Sequence, residues 1–482
     1  MARMMLSRKA TNLLVFIVLV VIVASVLKIS LPDTSLDPAT LYHHATGQDK
    51  NEPDYWEWET TSRFIPMKNK PASGPAIPFT DSEDDHLCDS FPTYLSSRIQ
   101  VVLKIGASEP ADRVDAQIST VTRCIPNLLI VSDREGELNG HRVHDILATL
   151  PESFRANTPD FEAYDALQRG DEKAVESAQG WRLDRFKFLP MVERAYETNP
   201  TAQWYIFLES DTYYVWDNLF RLLDQYDPSE QLYFGSPAPG RKINDDKKTY
   251  FAYGGAGFVL SGAAAKKLVS RHHGSHGQFV EPPLSQQYEE LIKGDCCGDS
   301  VLGWVLYEKG IKLSGLWPMF NPHPLHGIPF DNAYWCQPVI SMHKTLLSDM
   351  RGLIKWENQR DRKTPLLYAD LFDYLRLGTY ESKSDWDNGD WGGFQEPAES
   401  PAHASLEACR TACHGHAECL SYTYDYAGHC IFVRTIRLGH KQPATAEVRL
   451  SAGWDVEKIR NWRASHQCDN PKWVKPSLTR IF

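Results

Sequence analysis

The chain has 482 residues, of which 42% are hydrophobic and 23% are charged, and its formal net charge at pH 7 is −11. This is an ordinary globular composition, and the length suits two or three domains. The sequence has no basic tract beyond the extreme N-terminus, which argues against nucleic-acid binding because that function normally needs a basic face.

An uncharged apolar segment lies close to the N-terminus. Residues 13–27 carry no charge, and residues 10–31 together approach the roughly 20 residues that cross a bilayer. Three basic residues precede this segment and one follows it closely, so the positive-inside rule places residues 1–9 in the cytoplasm and the rest in the lumen. A cleaved signal peptide is the alternative, but the apolar run is at the upper length limit for one. We therefore predict an uncleaved anchor.

The remainder of the chain is expected to enter the secretory pathway, where its ten cysteines would form disulfide bonds. Residues 32–85 are rich in Pro, Ser, Thr and Asp and show little periodicity, which predicts a poorly ordered stem or linker. Organised sequence begins near Arg98.

Strand and helix patterns alternate over the next part of the chain. Ile99–Ile105 and Leu128–Val131 predict strands, and the turn at 106–112 leads into a helix. Apolar spacing predicts a further helix over residues 181–198, followed by a strand that begins at Trp204. Strands separated by helices favour an α/β domain with a largely parallel sheet.

The strand that begins at Trp204 leads into two carboxylates. The continuous apolar run Tyr205–Leu208 is followed by Glu209 and Asp211, and residues two apart in a strand point to the same face. Both side chains could therefore enter the crevice beyond the strand ends, where open α/β sheets bind ligands. Paired carboxylates suit Mg²⁺ or Mn²⁺, and such a cation suits a diphosphate. Helix caps or solvated turn residues are the alternative.

Three later segments contain further candidate residues. Gly254, Gly255 and Gly257 lie between two apolar runs, where they either let the backbone approach a ligand or form a tight turn. Asp299 is a candidate helix cap and could equally be a catalytic carboxylate. His343 ends a short apolar run, and by itself it would be a weak candidate for a metal ligand.

Four cysteines lie close together near the C-terminus. Cys409 and Cys413 are one helical turn apart, and Cys419 and Cys430 follow around a strand-like segment. This spacing predicts a small disulfide-stapled module, and an oxidising lumen disfavours the rival zinc site.

Taken together and in order, these segments resemble glycosyltransferase family 31, the fringe and core 1 β-1,3-galactosyltransferase group, of the fungal type. The resemblance covers roughly residues 98–345, and four ordered motifs are far more specific than any one of them. The similar segments are Trp204–Val215, Gly254–Ser261, Gly298–Gly303 and Ser341–His343, with Ser132 and Asp133 after the second strand. The resemblance implies the Rossmann-like fold called GT-A for residues 86–380.

One departure from the family pattern concerns the acidic motif. The family usually has Asp where this chain has Glu209, and an acid where it has Ser210, whereas Asp211 is kept. The affinity for metal and the preferred ion are therefore open, and Ser210 also leaves open a weak or inactive enzyme.

The resemblance implies a UDP-sugar donor and an inverting transfer. Asp211 and His343, with Glu209, would hold the metal, and imidazole among the ligands would favour Mn²⁺ over Mg²⁺. The cation would stabilise the diphosphate leaving group, and Asp299 would be the general base.

Donor-binding residues follow from the same resemblance. Ser132 and Asp133 would face the uridine, and the donor site would also include Glu209 and Ser210. The backbone at Gly254, Gly255 and Gly257 would contact the donor sugar and the acceptor. Lys187 could approach the phosphates, although we prefer to interpret it as part of a solvated helix face.

The C-terminal cysteine segment, residues 386–455, resembles a PAN/apple domain, a small disulfide-rich α+β module that binds proteins or carbohydrates. The resemblance implies the pairs Cys409–Cys430 and Cys413–Cys419. A bond between Cys88 and Cys124 is a further expectation, and we expect residues 456–482 to form a C-terminal tail.

We therefore expect a single-pass type II protein of the Golgi or ER membrane with a lumenal catalytic domain. It would transfer a hexose or N-acetylhexosamine from a UDP-sugar to a glycan or glycoprotein hydroxyl, with a β-1,3 linkage. The alternative is a catalytically inactive GT-A fold that acts as a membrane-anchored carbohydrate-binding or adhesion protein through the apple module. The sequence does not identify the donor sugar or the acceptor.

Overall fold

A computed structural model describes residues 98–478 except 172–176, 246, 361 and 390–392, together with Cys88 and the strand at residues 55–57. The predicted anchor at residues 10–31 lies outside this part of the chain. Among the described helices, none combines the length and the apolar composition that a bilayer span requires.

Twenty-two strands are found in the described residues, most of them short. The first eleven are β1 (Tyr55–Glu57), β2 (Ile99–Lys104), β3 (Leu128–Ser132), β4 (Gly136–Leu138), β5 (His141–Asp145), β6 (Trp204–Glu209), β7 (Tyr213–Tyr214), β8 (Tyr233–Gly235), β9 (Pro237–Lys242), β10 (Lys248–Ala252) and β11 (Phe258–Ser261). The others are β12 (Ser314–Gly315), β13 (Phe320–Asn321), β14 (Ser341–Met342), β15 (Ser382–Ser384), β16 (Trp386–Asp387), β17 (Phe394–Gln395), β18 (Ser421–Asp425), β19 (His429–Val433), β20 (His440–Lys441), β21 (Leu450–Trp454) and β22 (Lys472–Val474).

The described α-helices alternate with these strands over most of the chain. They are α1 (Ala111–Ser119), α2 (Asp160–Gln168), α3 (Ser177–Leu183), α4 (Phe188–Thr198), α5 (Trp216–Leu223), α6 (Gly262–Val269), α7 (Leu284–Gln287), α8 (Glu289–Gly294), α9 (Gly298–Glu308), α10 (Leu347–Gln359), α11 (Tyr368–Leu375), α12 (Leu406–Gly415) and α13 (Val456–Ser465).

The main sheet has eight strands in the order β12-β8-β11-β6-β2-β3-β5-β4. Its central strands β6, β2, β3 and β5 run parallel, whereas β11 runs antiparallel to both of its neighbours. This Rossmann-like, mixed α/β arrangement agrees with the predicted fold class, and the strands predicted near Ile99 and Leu128 are confirmed.

Alternate side chains of β6 enter two different apolar cores. Trp204, Ile206 and Leu208 pack in one core, and Tyr205 and Phe207 pack in the other. All five side chains are at most 3% exposed. The strand is therefore buried on both faces, as its continuous apolar run predicted.

The single helix predicted over residues 181–198 is wrong. Helix α3 ends at Leu183, a 3₁₀ turn spans Asp184–Phe186, and α4 begins at Phe188. Pro190 lies in the first turn of α4, where its missing N–H has no intrahelical acceptor to lose. The apolar spacing continues through the break, so the sequence pattern alone did not reveal it.

The C-terminal part contains a five-stranded antiparallel sheet in the order β15-β21-β18-β19-β17, with α12 near it. The pairs Cys409–Cys430 and Cys413–Cys419 are bonded, as the resemblance implied. The predicted disulfide-stapled module is thus confirmed, and these four cysteines are not zinc ligands.

The residues that we expected to form a C-terminal tail are instead largely structured. Ile459 of α13 packs in the same apolar core as Trp204, and Cys468 is bonded to Cys336. Strand β22 pairs antiparallel with β1, which belongs to the predicted stem. Composition did not reveal this contact between residues 55–57 and residues 472–474.

The remaining disulfides lie in the α/β part. Cys88 is bonded to Cys124, as expected, and the adjacent residues Cys296 and Cys297 are bonded to each other, which was not expected. The second bond lies immediately before α9.

Candidate active site

The short strand β14 brings His343 to the end of β6. Met342 pairs with Tyr213 of β7, and the backbone N–H of Thr345 donates to the carbonyl of Asp211 at 2.9 Å. As a result, His343 Nε2 lies 3.4 Å from Asp211 Oδ1. The predicted meeting of the acidic motif with the distant histidine is present in the structure.

Glu209, Asp211 and His343 form a group whose potential ligand atoms all lie within 4.8 Å of one another. Burial alone would raise the pKa of Asp211, but the hydrogen bond with His343 and the basic side chains around it outweigh burial and lower it. Two carboxylates and one imidazole are suitable ligands for a divalent cation such as Mn²⁺. The donor set therefore fits the metal that the sequence resemblance implies.

The loop that contains Gly254, Gly255 and Gly257, the glycine loop, packs directly against this group. Gly255 lies so close to His343 that a Cβ atom would overlap the imidazole, and Gly257 has a φ of 73°, which other residues rarely adopt. The hydroxyl of Thr212 donates to the Gly255 carbonyl at 2.8 Å. Close packing therefore explains why glycine occupies these positions. The same contacts hold the loop beside the metal-ligand candidates.

Asp299 lies in the first turn of α9. The N-cap is Cys297, so the helix-cap alternative for Asp299 is wrong. Its Oδ2 accepts from the N–H of Gly254 at 2.8 Å, and its Oδ1 accepts from the N–H of Ser300 at 2.9 Å. Burial raises its pKa to about 6, opposed by the Gly254 hydrogen bond and assisted by the negative charge of Glu209. A carboxylate with this pKa is well matched to accept a proton near neutral pH.

Ser132 and Asp133 are buried at the end of β3, with 1% and 0% exposure. Asp133 Oδ1 accepts from the N–H of Ala107 at 2.7 Å and from the Ser132 hydroxyl at 3.1 Å. Its Oδ2 lies 3.2 Å from Lys187 Nζ. The pair thus holds the loop after β2, and it is not part of the metal-ligand group.

Two buried lysines contact carboxylates in and around the acidic motif. Lys187 has no exposed surface, so our interpretation of it as part of a solvated helix face was wrong. Its Nζ lies 3.0 Å from Asp184, and Lys104 Nζ lies 2.6 Å from Asp184 and 3.3 Å from Glu209. Burial lowers the pKa of each lysine, but the neighbouring carboxylates outweigh burial and raise it. Both lysines are therefore charged and stabilise the carboxylates around them.

Sequence reasoning missed Glu109, which lies in the loop between β2 and α1. Its Oε1 accepts from the N–H of Gly106 at 2.7 Å, and its Oε2 accepts from the hydroxyl of Ser210. These partners are 101 residues apart in the sequence, so no local pattern could have paired them.

Negative charge is in excess among the side chains that these contacts connect. The described carboxylates in this network outnumber the lysines: they are Glu109, Asp133, Asp184, Glu209 and Asp211, against Lys104 and Lys187. A divalent cation would offset most of this excess, which is a second reason why the site fits one.

Residues 140–313 match the Fringe-like family model. This range contains Glu209, Asp211, the glycine loop and Asp299, but neither Ser132 nor His343. The Fringe glycosyltransferase of Drosophila melanogaster is 34% identical to this chain over 89 residues, which are 16% of this chain and 21% of that protein. The chain thus spans about a fifth of the length of this relative. Both similarities are to fringe-type proteins, and the mixed α/β fold is consistent with a GT-A glycosyltransferase.

Proposed function

We propose that this protein is a metal-dependent glycosyltransferase. It transfers a hexose or N-acetylhexosamine from a UDP-sugar to a hydroxyl of a glycan or glycoprotein, with inversion and a β-1,3 linkage. The observation that carries the proposal is the position of Asp299, a carboxylate with a pKa near 6, in the same site as the group formed by Glu209, Asp211 and His343. The Fringe-like match over residues 140–313 supports the same reaction class.

The metal ligands would be Asp211 and His343, with Glu209 as the third. A bound Mn²⁺ or Mg²⁺ would supply Lewis-acid stabilisation of the diphosphate as UDP leaves. Glu209 also contacts Lys104, so this lysine competes with the cation for the carboxylate and limits how strongly Glu209 can bind it. Asp211 and His343 are for that reason the principal ligands in this proposal.

Asp299 would act as the general base. Its carboxylate takes the proton from the acceptor hydroxyl, the acceptor oxygen bonds to the anomeric carbon, and the bond from that carbon to the diphosphate oxygen breaks. The N–H groups of Gly254 and Ser300 fix the orientation of the carboxylate. Ser132 and Asp133 would serve the uridine indirectly, because they hold the loop at Ala107 in place.

The acceptor would approach from a cleft of about 320 Å³ next to the loop that precedes α9. The cleft is lined by Pro159, Asp160, Trp181, Arg182, Arg185 and Cys296. Trp181 is 61% exposed, and Arg185 donates to the carbonyl of Asp295 at 2.8 Å, four residues before Asp299. An exposed indole beside polar groups suits a sugar ring, which has an apolar face and a hydroxyl-bearing edge.

For the cellular location, we propose a type II anchor at residues 10–31 and a lumenal catalytic domain in the Golgi or ER. The five disulfide bonds of the structure support an oxidising compartment. Residues 386–455 would be a PAN/apple-like module with a role in protein or carbohydrate binding.

The test is donor turnover by the full chain purified in detergent. UDP release would be measured for a panel of UDP-sugars, with and without Mn²⁺ and with mixed glycan acceptors. The variants would be Asp211→Ala and, as a matched control, Asp112→Ala on the exposed side of α1. We expect Mn²⁺-dependent release from one donor, which Asp211→Ala abolishes and the control retains. Metal-dependent UDP binding without release from any donor would instead favour the inactive carbohydrate-binding protein.

A further inference from the structure

We infer that Glu109 replaces, from a different segment of the chain, the acid that the motif lacks at Ser210. It would be a positioning residue of the site that binds a divalent cation and a nucleoside diphosphate. This inference rests on the proposed function, and it assigns a role to a residue outside the acidic motif.

The first argument is the arrangement of hydrogen bonds around Ser210. Glu109 accepts from the Ser210 hydroxyl and from the N–H of Gly106. A serine hydroxyl has one proton and two lone pairs. Since the hydroxyl proton of Ser210 is used in the hydrogen bond to Glu109, the Ser210 oxygen can offer only lone pairs to any other group. In this state, serine is an acceptor, as a carboxylate at the same position would be.

The second argument is the position of Glu109 relative to the metal-ligand candidates. Among the described residues, Glu109 is not part of the group formed by Glu209, Asp211 and His343. Its contact with Ser210, which lies between the two acids of that group in the sequence, places it next to the acidic motif. Glu109 would therefore act on these ligands through Ser210, without binding the cation itself.

The third argument is that Glu109 connects two parts of the proposed donor site. The loop that carries it is held at Ala107 by Asp133 and at Gly106 by Glu109 itself. Because Glu109 also holds Ser210, one short loop joins the end of β3 to the acidic motif. Loss of Glu109 would therefore loosen both the cation site and the loop beside the expected uridine position.

The test exchanges the two side chains. UDP binding in the presence of Mn²⁺ would be measured by calorimetry on the full chain in detergent, for wild type, Glu109→Ala, Ser210→Asp and the double variant Glu109→Ala/Ser210→Asp. Each single variant should bind roughly tenfold more weakly, the first because it loses the carboxylate and the second because two carboxylates then meet. The double variant keeps one carboxylate and should return to within about threefold of wild type.

Controls separate this inference from a folding defect and from failure of the proposed function. Glu137→Gln, on the exposed strand β4, should bind as wild type, and melting curves should show that every variant is folded. Wild-type affinity in Glu109→Ala, or a folded double variant as weak as the single variants, would overturn the role of Glu109 alone. If wild type and Asp211→Ala both fail to bind UDP with Mn²⁺, the proposed function fails as well.

Discussion

The proposed donor site and the C-terminal module have cores of opposite kinds. The module is built around four cysteines with no exposed surface, which form two bonds that span 21 and 6 residues of sequence. The donor site is built around buried charges, with contacts such as Lys104–Asp184 and Glu109–Ser210 that span 80 and 101 residues. The disulfide bonds of the module do not depend on salt or on the charges of neighbouring side chains, whereas the site depends on a complete set of charges. Substitutions in the two regions should therefore have different consequences.

The largest effect is expected from Asp299→Asn. The amide cannot take the acceptor proton, so transfer should fall by roughly 10²–10⁴-fold. Because Asp299 is outside the metal-ligand group, Mn²⁺-dependent UDP binding should persist. Steady-state transfer and calorimetry together check this prediction. Equal losses of binding and transfer would show that Asp299 acts on the donor and is not the base.

Lys187→Met should destabilise the protein by about 3–5 kcal/mol, because it leaves Asp133 buried without its cation, whereas Asp184 keeps Lys104. Urea unfolding of the full chain measures the change. Lys266→Met, on an exposed position of α6, is the matched control and should change the free energy of unfolding by less than about 0.5 kcal/mol. A loss for Lys187→Met no larger than that of the control would refute the buried ion pairs.

The double variant Cys413→Ser/Cys419→Ser should affect the C-terminal module and leave the donor site intact. This bond closes a short loop, so its removal should cost roughly 2 kcal/mol. The loss should be confined to the module, and UDP binding should be unchanged. Protease digestion and calorimetry report on the two regions separately. Weaker UDP binding would mean that the module supports the donor site.

The pH dependence of transfer tests the role of the Asp299 charge in the site. Asp299 must be deprotonated to act as base, and burial raises its pKa to about 6. Transfer should therefore fall roughly tenfold per pH unit well below the midpoint and level off above it. A cation bound near Glu209 would offset the negative charge that helps raise this pKa, so the midpoint should be no higher than about 6. A midpoint above 7 would contradict the assignment.

The smallest effect is expected from Trp181→Ala. Loss of the exposed indole should raise KM for the glycan acceptor roughly fivefold, because such stacking contributes about 1 kcal/mol. UDP release by donor hydrolysis without acceptor should not change, since the residues that line the cleft do not include the metal-ligand group. Trp181→Phe, which keeps an aromatic face, should recover most of the affinity. An unchanged acceptor KM would place the acceptor elsewhere.

The sequence predicted what depends on local pattern. The buried strand β6 followed from its apolar run, and the cysteine module followed from cysteine spacing and a family resemblance. The meeting of Asp211 with His343 came from the resemblance, since the residues themselves gave no reason to pair them. The contact of Glu109 with Ser210 and the burial of Lys187 could not be predicted from the sequence, because each depends on side chains from distant segments. The helix break before Phe188 was missed for a related reason, since the apolar spacing continues through it.

The pairing of β1 with β22 has a practical consequence for any shortened form of this protein. A truncation at residue 80 would keep all five disulfides, the first of which involves Cys88, but would remove Tyr55–Glu57. Strand β22 would then present unpaired N–H and C=O groups, and exposed strand edges readily pair with another chain. Self-association of such a truncated form would reflect the cut, and a start before residue 55 would preserve the native partner of β22.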